Sequence, residues 1–489
     1  MKLDFIKPLV PFIPEVKKPS RVPSVKEKFV WTGIVIFLFF TMYHIVPFGV
    51  ELKGSAFVEF LQVVLASKMG TLLTIGIGPI VLSSIILQLF AGAKLIDVDF
   101  KNSEDKANFT ATQKVLTVFI AIAEAALFVI PGGYLGPSQA LLAIGIPAGI
   151  LVFLAVVQIA GASVLLLFMD EVTSKHGLGS GISIFIAAGV SLAIIQGSLS
   201  LIFGGKGVPE GITVVSKLAL GGATAIPSAL IALLPILFTA VIIVVCLYAE
   251  GIKVEIPLTV DRIRVRSMYP LKLLYVSVLP VILTSALLMN VQIIAKPLLI
   301  GAQWGDFMGH DISHYIAFVN PGTGQMEDGM LYFLTSFGNP LYSGYEAYIQ
   351  MLLTPTPIFQ IPQIIHVLVY MIIYVLMCVF FGKFWIEAAG MGPETIAGQI
   401  TQAGLSRPGF RADPRIIRDM LDRYIMTVAV LGSIFVGMLA VLADLTGAIG
   451  TGTGILLTVS IVYKFYEDFK QQKIFEAYPQ INKFLGASS

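Results

Sequence analysis

Ten long apolar windows constrain the fold of this chain more than any other feature of its sequence. Each holds about 20 residues, which as a helix match the hydrocarbon thickness of a bilayer. Helices satisfy all of their backbone hydrogen bonds within one segment, which the interior of a bilayer requires. The sequence therefore predicts an all-α polytopic membrane protein with ten transmembrane helices. The windows are residues 29–48, 71–93, 112–132, 145–169, 181–203, 228–249, 273–295, 363–385, 424–446 and 448–466.

Composition and motifs argue against an enzyme. Only 13% of the 489 residues are charged, whereas soluble proteins carry about 25%. No H-E-x-x-H, G-x-S-x-G or G-x-x-x-x-G-K-[ST] motif occurs, so we expect no hydrolase or nucleotide site. Cys246 and Cys378 lie far apart in apolar windows, which suggests neither a disulfide framework nor a metal site. We expect no cofactor, no metal and no removable signal peptide.

The distribution of Lys and Arg predicts the orientation of the spans. Cytoplasmic segments of membrane proteins are enriched in these residues. With the N-terminus inside, 27 of the 32 Lys and Arg residues fall on the cytoplasmic side of the ten-span arrangement. An even number of spans then places both termini in the cytoplasm.

The chain also has a two-fold internal plan. Glycine-rich starts open the second, fifth and tenth windows at residues 70–78, 177–181 and 450–454. Five spans on each side of an external linker give halves of opposite orientation, as an inverted repeat requires. The predicted parts are a cytoplasmic arm (1–28), an N-terminal half (29–203), an external linker (204–227), a C-terminal half (228–466) and a cytoplasmic tail (467–489). The C-terminal half includes cytoplasmic loops 251–272 and 386–423 and a long acidic external loop, 298–361, expected to fold over the outer face.

A short segment before the second span has helical character but cannot cross the bilayer. Residues 55–69 are mostly apolar and lead directly into the stretch from Gly70 to Val81, which contains three glycines and Pro79. Irregular backbone survives at membrane depth only inside protein or beside water. The sequence therefore predicts a re-entrant half-helix followed by a pore element or a moving element.

Apolar residues near these glycine-rich starts are candidates for a constriction. Ile77 and Val81 are four residues apart and share a helix face, and Ile182 and Ile186 repeat that spacing. Stiff β-branched side chains that converge at one level can form a dry gate. The simpler interpretation, that they face lipid or neighbouring helices, is common in membrane spans and stays open. The six candidates are Ile77, Val81, Ile182, Ile186, Ile282 and Leu457.

Few polar residues lie inside the windows. Glu124 is in the middle of the third span, where a carboxylate is a functional candidate, but no second charge is evident at its depth. Gln88, Asn290 and Gln292 lie near span ends and are expected to bridge helices, either as fixed contacts or at a separable seam. His310 and His314 are spaced for a metal on a helix, but spacing fixes no third ligand.

Two cytoplasmic loops concentrate arginine on predicted secondary structure. Residues 253–260 alternate as a strand does, with a turn at Asp261 and Arg262 and a return strand at 263–266. In the second loop, Asp413 and Pro414 predict the start of a helix. Ordered basic projections suit a polyanion such as RNA, although the positive-inside bias and ion pairs Arg415–Asp419 and Asp419–Arg423 also account for the charges. The candidate docking residues are Arg262, Arg264, Arg266, Arg411 and Arg415.

The chain resembles the SecY family, the central subunit of the protein-conducting channel, and its archaeal branch most. The resemblance runs nearly end to end. It is carried by P-E-V-K-K-P (14–19), K-E-K-F-V-W-T-G (26–33), A-S-K-M-G-T-L-L-T-I-G-I-G-P-I-V (66–81), L-Q-L-F-A-G-A-K (87–94), G-L-G-S-G-I-S-I-F-I-A-A-G-V (177–190), Y-P-L-K-L-L-Y-V-S (269–277) and G-T-G-I-L-L-T-V-S-I-V-Y (452–463).

This resemblance implies a passive channel in the cell (plasma) membrane, made of two pseudo-symmetric five-helix halves. It implies that the six constriction candidates form a pore ring and that Gln88 and Asn290 lie at a lateral gate between spans two and three and spans seven and eight. The half-helix at about 55–68 would be a plug. The implied plug residues are Phe57, Phe60, Leu61, Val64 and Leu65.

The resemblance also implies partners. They are the SecE and Sec-beta subunits, a translating ribosome docked on the two basic loops, signal sequences and nascent polypeptides, and membrane lipids. Leu82 departs from relatives, which often carry a small polar residue there. The alternative functions are an inverted-repeat secondary transporter, which requires charges at broken helices, and an intramembrane enzyme, which requires a partner for Glu124.

Overall fold

In the computed structural model the chain is a bundle of long apolar helices with several small sheets. In the first sheet, β1 (Val50–Leu52) pairs antiparallel with β2 (Leu135–Pro137). The structure describes residues 14–21, 23–52, 68–92, 95–96, 103–129, 135–204, 213–219, 225–260, 266–274, 279–299, 306–307, 310–320, 326–338, 340, 344–388, 391–402, 405–406 and 414–477.

Each of the ten predicted spans overlaps one or more of the described helices. The described helices are α1 (Val25–His44), α2 (Gly78–Gly92), α3 (Ser103–Val129), α4 (Gln139–Ala143), α5 (Ala148–His176), α6 (Gly181–Phe203), α7 (Val214–Ala219), α8 (Ala225–Ala232), α9 (Leu234–Gly251), α10 (Leu279–Leu299), α11 (Ile312–Ile316), α12 (Tyr345–Leu353), α13 (Gln363–Ala388), α14 (Pro393–Gln402), α15 (Pro414–Leu445) and α16 (Gly452–Ala477).

Six helical segments in the described parts are long and apolar enough to cross a membrane. Two shorter apolar segments, Gly78–Ala91 and Leu279–Gln292, lie in the second and seventh predicted spans. The protein is therefore a mostly helical, multi-pass membrane protein, whereas the number of ten crossings stays a prediction. The six segments are Glu104–Val129, Ala148–His176, Gly181–Phe203, Ala225–Gly251, Gln363–Ile386 and Arg415–Leu445.

The helices pack as two groups that contact each other at two interfaces. In the first group, α3 packs against α2 and α5, and α5 also contacts α1 and α6. In the second group, α15 packs against α13 and α16. Between the groups, α2 contacts α10 and α13, and α6 contacts α16. This arrangement places the two predicted halves side by side.

The start of the second helix differs from its prediction. The window was expected to be helical from residue 71, but α2 begins at Gly78. Residues 68–77 form short turns, in which Thr71, Thr74 and Gly76 each donate a backbone hydrogen bond three residues back. Gly70 (φ 76°) and Gly76 (φ 50°) adopt positive φ angles that a continuing α-helix excludes. The glycines therefore delay the helix by about two turns.

The two loops that are predicted to be cytoplasmic form one module. Strand β3 (Lys253–Val260) pairs antiparallel with β4 (Arg266–Lys272), and β9 (Leu405–Ser406) of the second loop pairs with the other edge of β3. Ile256 and Leu271 are buried against residues of α14 and α15 such as Ile400 and Leu421. This shared apolar core joins loops that are far apart in the sequence.

Two details of this module differ from the sequence prediction, and one agrees with it. The described return strand runs from residue 266 to 272, so it extends six residues beyond its predicted end, and Leu271 in this extension is buried. The predicted helix start at Pro414 is confirmed, and this helix continues into the ninth span as α15. Asp419 pairs with its neighbour Arg418 at 3.1 Å, a different ion pair from those expected at i, i+4 spacing.

The described parts of the segment 298–361 are folded. They include β5 (Asp306–Phe307), β6 (His310–Asp311), β7 (Phe318–Val319), β8 (Met326–Asp328) and a 3-10 helix at Met330–Leu334. The buried carboxylate of Asp328 accepts hydrogen bonds from the backbone amides of Gly329, Ile358 and Phe359.

The histidine pair of this segment does not gather the ligands of a metal site. The ring of His314 packs against that of Phe318, with centroids 5.0 Å apart. Asp311 caps α11 by accepting from the Ser313 amide at 2.8 Å. Among the residues that the structure describes, no group of three or more potential metal ligands occurs.

Candidate functional site

The six candidate constriction residues all belong to one apolar cluster. Ile77, Ile186 and Leu457 are buried in it, and the other three pack against it. Their positions are Ile77 just before α2, Val81 in α2, Ile182 and Ile186 in α6, Ile282 in α10 and Leu457 in α16. The cluster therefore brings together residues from both halves of the chain.

A buried hydroxyl fixes the backbone next to Ile77. The Ile77 carbonyl accepts from the amides of Ile80 and Val81, both at 3.1 Å, so Ile77 is the capping residue of α2 and not part of its interior. Ser163 of α5 donates its hydroxyl to the Gly76 carbonyl at 3.1 Å. This bond anchors the glycine turns to the adjacent helix.

A carboxylate fixes the backbone at Ile182 in a similar way. Asp170 of α5 accepts from the Ile182 amide at 3.0 Å and from the Ser180 hydroxyl at 3.2 Å, at the positive end of the α6 dipole. Gly181 fits only because it has no side chain, since an added Cβ would lie 2.4 Å from Thr173 Oγ1 and 2.6 Å from Asp170 Cα. The predicted glycine-rich start is thus a close helix–helix contact.

The third glycine-rich start holds the helix that carries Leu457. Asp444, at the end of α15, accepts from the Gly452 amide at 2.6 Å. A Cβ on Gly452 would lie 2.0 Å from the Ala440 carbonyl oxygen. Consequently α16 begins in direct backbone contact with α15.

A buried hydroxyl network was not predicted from the sequence. Tyr374 of α13 lies 2.6 Å from the Ser285 hydroxyl of α10 and 3.1 Å from the Thr453 hydroxyl of α16. Ser285 is three residues after Ile282, and Thr453 is four residues before Leu457, so the network lies one turn from both. It ties three helices together around these two side chains.

The seam between α2 and the pair α10 and α13 is apolar. Ile85 packs against Leu283, Ala286 and Phe381. This contact was not predicted, although Val81, Ile85 and Leu89 form an i, i+4 stripe along α2 and all three pack in this cluster.

The expected bridging role of two amides at this seam is wrong. Gln88 donates to Ser84 at 2.9 Å, and Asn290 donates to the Ala286 carbonyl at 2.8 Å, each within its own helix. Gln292 does reach another element, because it donates to the Leu334 carbonyl at 3.0 Å. A side-chain amide can form a hydrogen bond within its own helix, and it then needs no partner across the seam.

Glu124 is buried, with only 5% of its surface exposed. Its Oε1 atom has no hydrogen-bond partner. It lies among small and apolar residues of α3, near Ala121 and Phe128 of an apolar cluster. Among the described residues, no hydrogen bond or ion pair joins a second carboxylate to Glu124.

Several candidate residues fall outside the described part of the chain. All five plug candidates do, and so do Arg262, Arg264 and Arg411. Arg266 begins β4, and Arg415 is exposed in the first turn of α15. The plug and most of the docking surface therefore stay predictions.

The N-terminal arm is attached to the last turn of α5, on the predicted cytoplasmic side. Lys175 of α5 pairs with Glu15 at 2.7 Å and with Glu171 at 2.8 Å. Lys114 of α3 pairs with Glu171 at 2.9 Å. The hydrogen bond from Lys175, followed by its positive charge, lowers the pKa of Glu15 below its ordinary value.

The six constriction candidates carry only hydrocarbon side chains, so their arrangement can exclude water and ions but cannot transfer protons or bonds. The anchoring contacts of Ser163, Asp170 and Asp444 hold the helix starts from which these side chains project. The site is thus suited to a barrier between two helix groups.

Comparisons with known proteins agree with this architecture. The sequence model of the SecY family matches residues 71–466. Protein translocase subunit SecY of Pyrococcus furiosus is 37% identical over 498 residues, covering 99% of each chain.

Solved structures agree as well. One described as a protein conducting channel has a TM-score of 0.75 and 36% identity, covering 98% of this chain and 99% of the other. Sec61 in the canine ribosome-channel complex from the endoplasmic reticulum has a TM-score of 0.72 and 35% identity, with the same coverage. With the apolar cluster and the two helix groups, these matches establish that the chain belongs to the SecY family, the non-enzymatic central pore-forming subunits of protein translocation channels.

Proposed function

We propose that the chain is a passive conduit for unfolded secretory polypeptides and releases apolar segments sideways into the bilayer. The observation that carries this proposal is the gathering of six apolar residues from both halves in one cluster. A ring of hydrocarbon side chains dewets when it is empty and yields when a polypeptide occupies it. No fixed charge at the ring would then retain a passing segment.

The contact between α2 and the α10–α13 pair supports a lateral gate at that seam. Apolar contacts such as Ile85 to Phe381 close it. In lipid such contacts have no strong hydrophobic driving force, since lipid tails are as apolar as the side chains. An apolar signal sequence can therefore replace one side of the seam and shift the equilibrium between closed and open forms.

We propose that the half-helix at about 55–68 is a plug that lies on the outer side of the ring. Its support is its length, too short to cross the bilayer, and its direct connection to the turns before Ile77. We further assign the domain boundaries given above, both termini to the cytoplasm and the protein to the plasma membrane. The support for this orientation is the bias of 27 in 32 Lys and Arg residues.

The proposed partners are the SecE and Sec-beta subunits and the translating ribosome. Support for the ribosome comes from the similarity to Sec61 in a ribosome-channel complex. The shared core of the β3, β4 and β9 sheet with α14 supports it too, because a rigid module can present arginines at fixed positions. The ribosome would supply the push that the channel itself lacks.

Site-specific crosslinking tests the conduit. A photoreactive residue in place of Ile182 is expected to crosslink strongly to a stalled nascent chain, because this position belongs to the proposed ring. The matched control is Ile195 on the same helix, which is 58% exposed on the outside of the bundle. Stronger crosslinks at Ile195 than at Ile182 would refute the ring assignment.

Charge reversal tests the docking loops. The triple substitution Arg262→Glu, Arg264→Glu and Arg411→Glu is expected to weaken ribosome binding at least about tenfold at low salt. It should also reduce the slope of log affinity against log salt by about two, since each phosphate contact on a single strand contributes about 0.7. Binding is measured by cosedimentation over a salt series.

The control for this experiment is Arg21→Glu in the cytoplasmic arm. Arg21 is an exposed arginine that pairs with Glu27 and belongs to neither loop. An unchanged affinity in the triple variant, or an equal loss in the control, contradicts docking through these loops.

A further inference from the structure

An open groove runs between α13 and α15 on the outside of the bundle. It has a volume of 530 Å³ and is lined by Lys383, Met426, Thr427, Val430 and Leu431. Leu431 is 54% exposed, so the groove opens onto the surface that faces lipid. The same outer face of α13 carries exposed apolar side chains such as Phe380 and Leu376.

The lysine of this groove has no partner in the part of the chain that the structure describes. Lys383 is exposed, and no ion pair or hydrogen bond of its side chain occurs among the residues that the structure describes. It lies five residues before the end of α13, about 8 Å along the helix axis. A cation at this depth reaches toward the headgroup layer with its ammonium while its hydrocarbon stem stays in the apolar region.

The lining of the groove is polar at one end and apolar at the other. Its polar lining consists of the Lys383 ammonium and the Thr427 hydroxyl. Val430 and Leu431 lie three and four residues later on α15, about 5 to 6 Å deeper in the proposed topology.

We propose that this groove binds one anionic lipid of the cytoplasmic leaflet, with its headgroup phosphate on Lys383 and Thr427 and its tail along Val430 and Leu431. Charge complementarity selects an anionic headgroup, because the described residues that line the groove supply an ammonium and a hydroxyl and include no carboxylate. The apolar end selects a lipid over a free phosphate, which has no tail to bury. The leaflet assignment rests on the proposed topology, whereas the binding itself is independent of translocation.

Native mass spectrometry of the protein in detergent tests the site with two probes. These are dioleoyl phosphatidylglycerol and dioleoyl phosphatidylcholine, which share their tails and differ in headgroup charge. The protein is expected to retain one phosphatidylglycerol in preference to phosphatidylcholine. Lys383→Gln should weaken this binding about fivefold, the equivalent of the ~1 kcal/mol that one lysine contributes near an anionic surface. Lys383→Arg should restore it.

Two further variants distinguish lipid binding in the groove from a general effect of surface charge. Val430→Phe fills the apolar end and should also weaken phosphatidylglycerol binding, although Lys383 is intact. Lys464→Gln is the matched control, because Lys464 is an exposed lysine near the predicted cytoplasmic end of the tenth span and is not among the lining residues of the groove. Its binding should equal that of the unmodified protein.

Four results would overturn the proposal. They are equal retention of both lipids, equal losses in Lys383→Gln and Lys464→Gln, full binding by Val430→Phe, and displacement of the lipid by inorganic phosphate. The measurement is repeated on the chain purified with its small partner subunits. Loss of the lipid in that complex would identify the groove as a subunit interface and would also refute the lipid assignment.

Discussion

Gly452→Ala is expected to destabilise the chain by about 3 kcal/mol, because this substitution overpacks a backbone contact. The new Cβ would lie 2.0 Å from the Ala440 carbonyl oxygen and 2.7 Å from the Ala443 Cβ, so α16 must move away from α15. That movement breaks the bond from the Gly452 amide to Asp444. It also displaces Leu457, slightly more than one helical turn further on.

The measurement is the midpoint of thermal unfolding in detergent, compared with that of Gly161→Ala. Gly161 lies inside α5, and a Cβ there would meet nothing within 4 Å. Alanine in an open helical position is neutral or stabilising by about 0.5–1 kcal/mol. A midpoint for Gly452→Ala no lower than that for Gly161→Ala would mean that the helix start is not a rigid contact.

The glycine-rich starts show what the sequence could predict and what it could not. Clustered glycines next to apolar windows are a local signal, so their positions were predicted correctly at residues 177–181 and 450–454. The groups that hold them were not predicted, because each lies on another helix or beyond a turn. Asp170 is twelve residues from Ile182 along the chain, and Ser163 is 87 residues from Gly76. Only packing brings them together.

The same reasoning applies to the polar contacts within the spans. Ser285, Tyr374 and Thr453 come from three helices, and no spacing within any one of them indicates a shared partner. By contrast, the bonds of Gln88 and Asn290 join residues four apart, so the helical repeat could have predicted them. For both amides, a hydrogen bond within the same helix is thus the better prediction from sequence than a bond between helices.

The two arginine-rich loops show a further limit of prediction from sequence. Alternation predicted β3 with its correct bounds, 253–260, because it is a property of one strand. The return strand extends to residue 272, beyond its predicted end at 266, because the pairing continues past Leu271, whose burial depends on packing against other elements. Its third strand, β9, comes from a loop about 150 residues away, and its two residues carry no periodic signal.

The double substitution Ile182→Ser and Ile186→Ser is expected to make the resting channel leak ions. Both side chains belong to the apolar cluster, Ile186 with 2% of its surface exposed. Each serine removes roughly 1.5 kcal/mol of the free energy that favours a dry constriction. Two such changes raise the conducting fraction about a hundredfold. The measurement is chloride efflux from proteoliposomes without substrate.

The matched control is Ile195→Ser with Leu199→Ser, on the same helix and at the same spacing. These side chains are 58% and 51% exposed on the outside of the bundle, so serines there face lipid and leave the constriction dry. If both double variants leak equally, the leak reports a damaged helix and not a wetted ring. If neither leaks while both are folded, the barrier lies in another element, and the outer half-helix at 55–68 becomes the segment to delete next. A leak confined to the Ile182 and Ile186 pair would locate the ion barrier at the face of α6 that carries them.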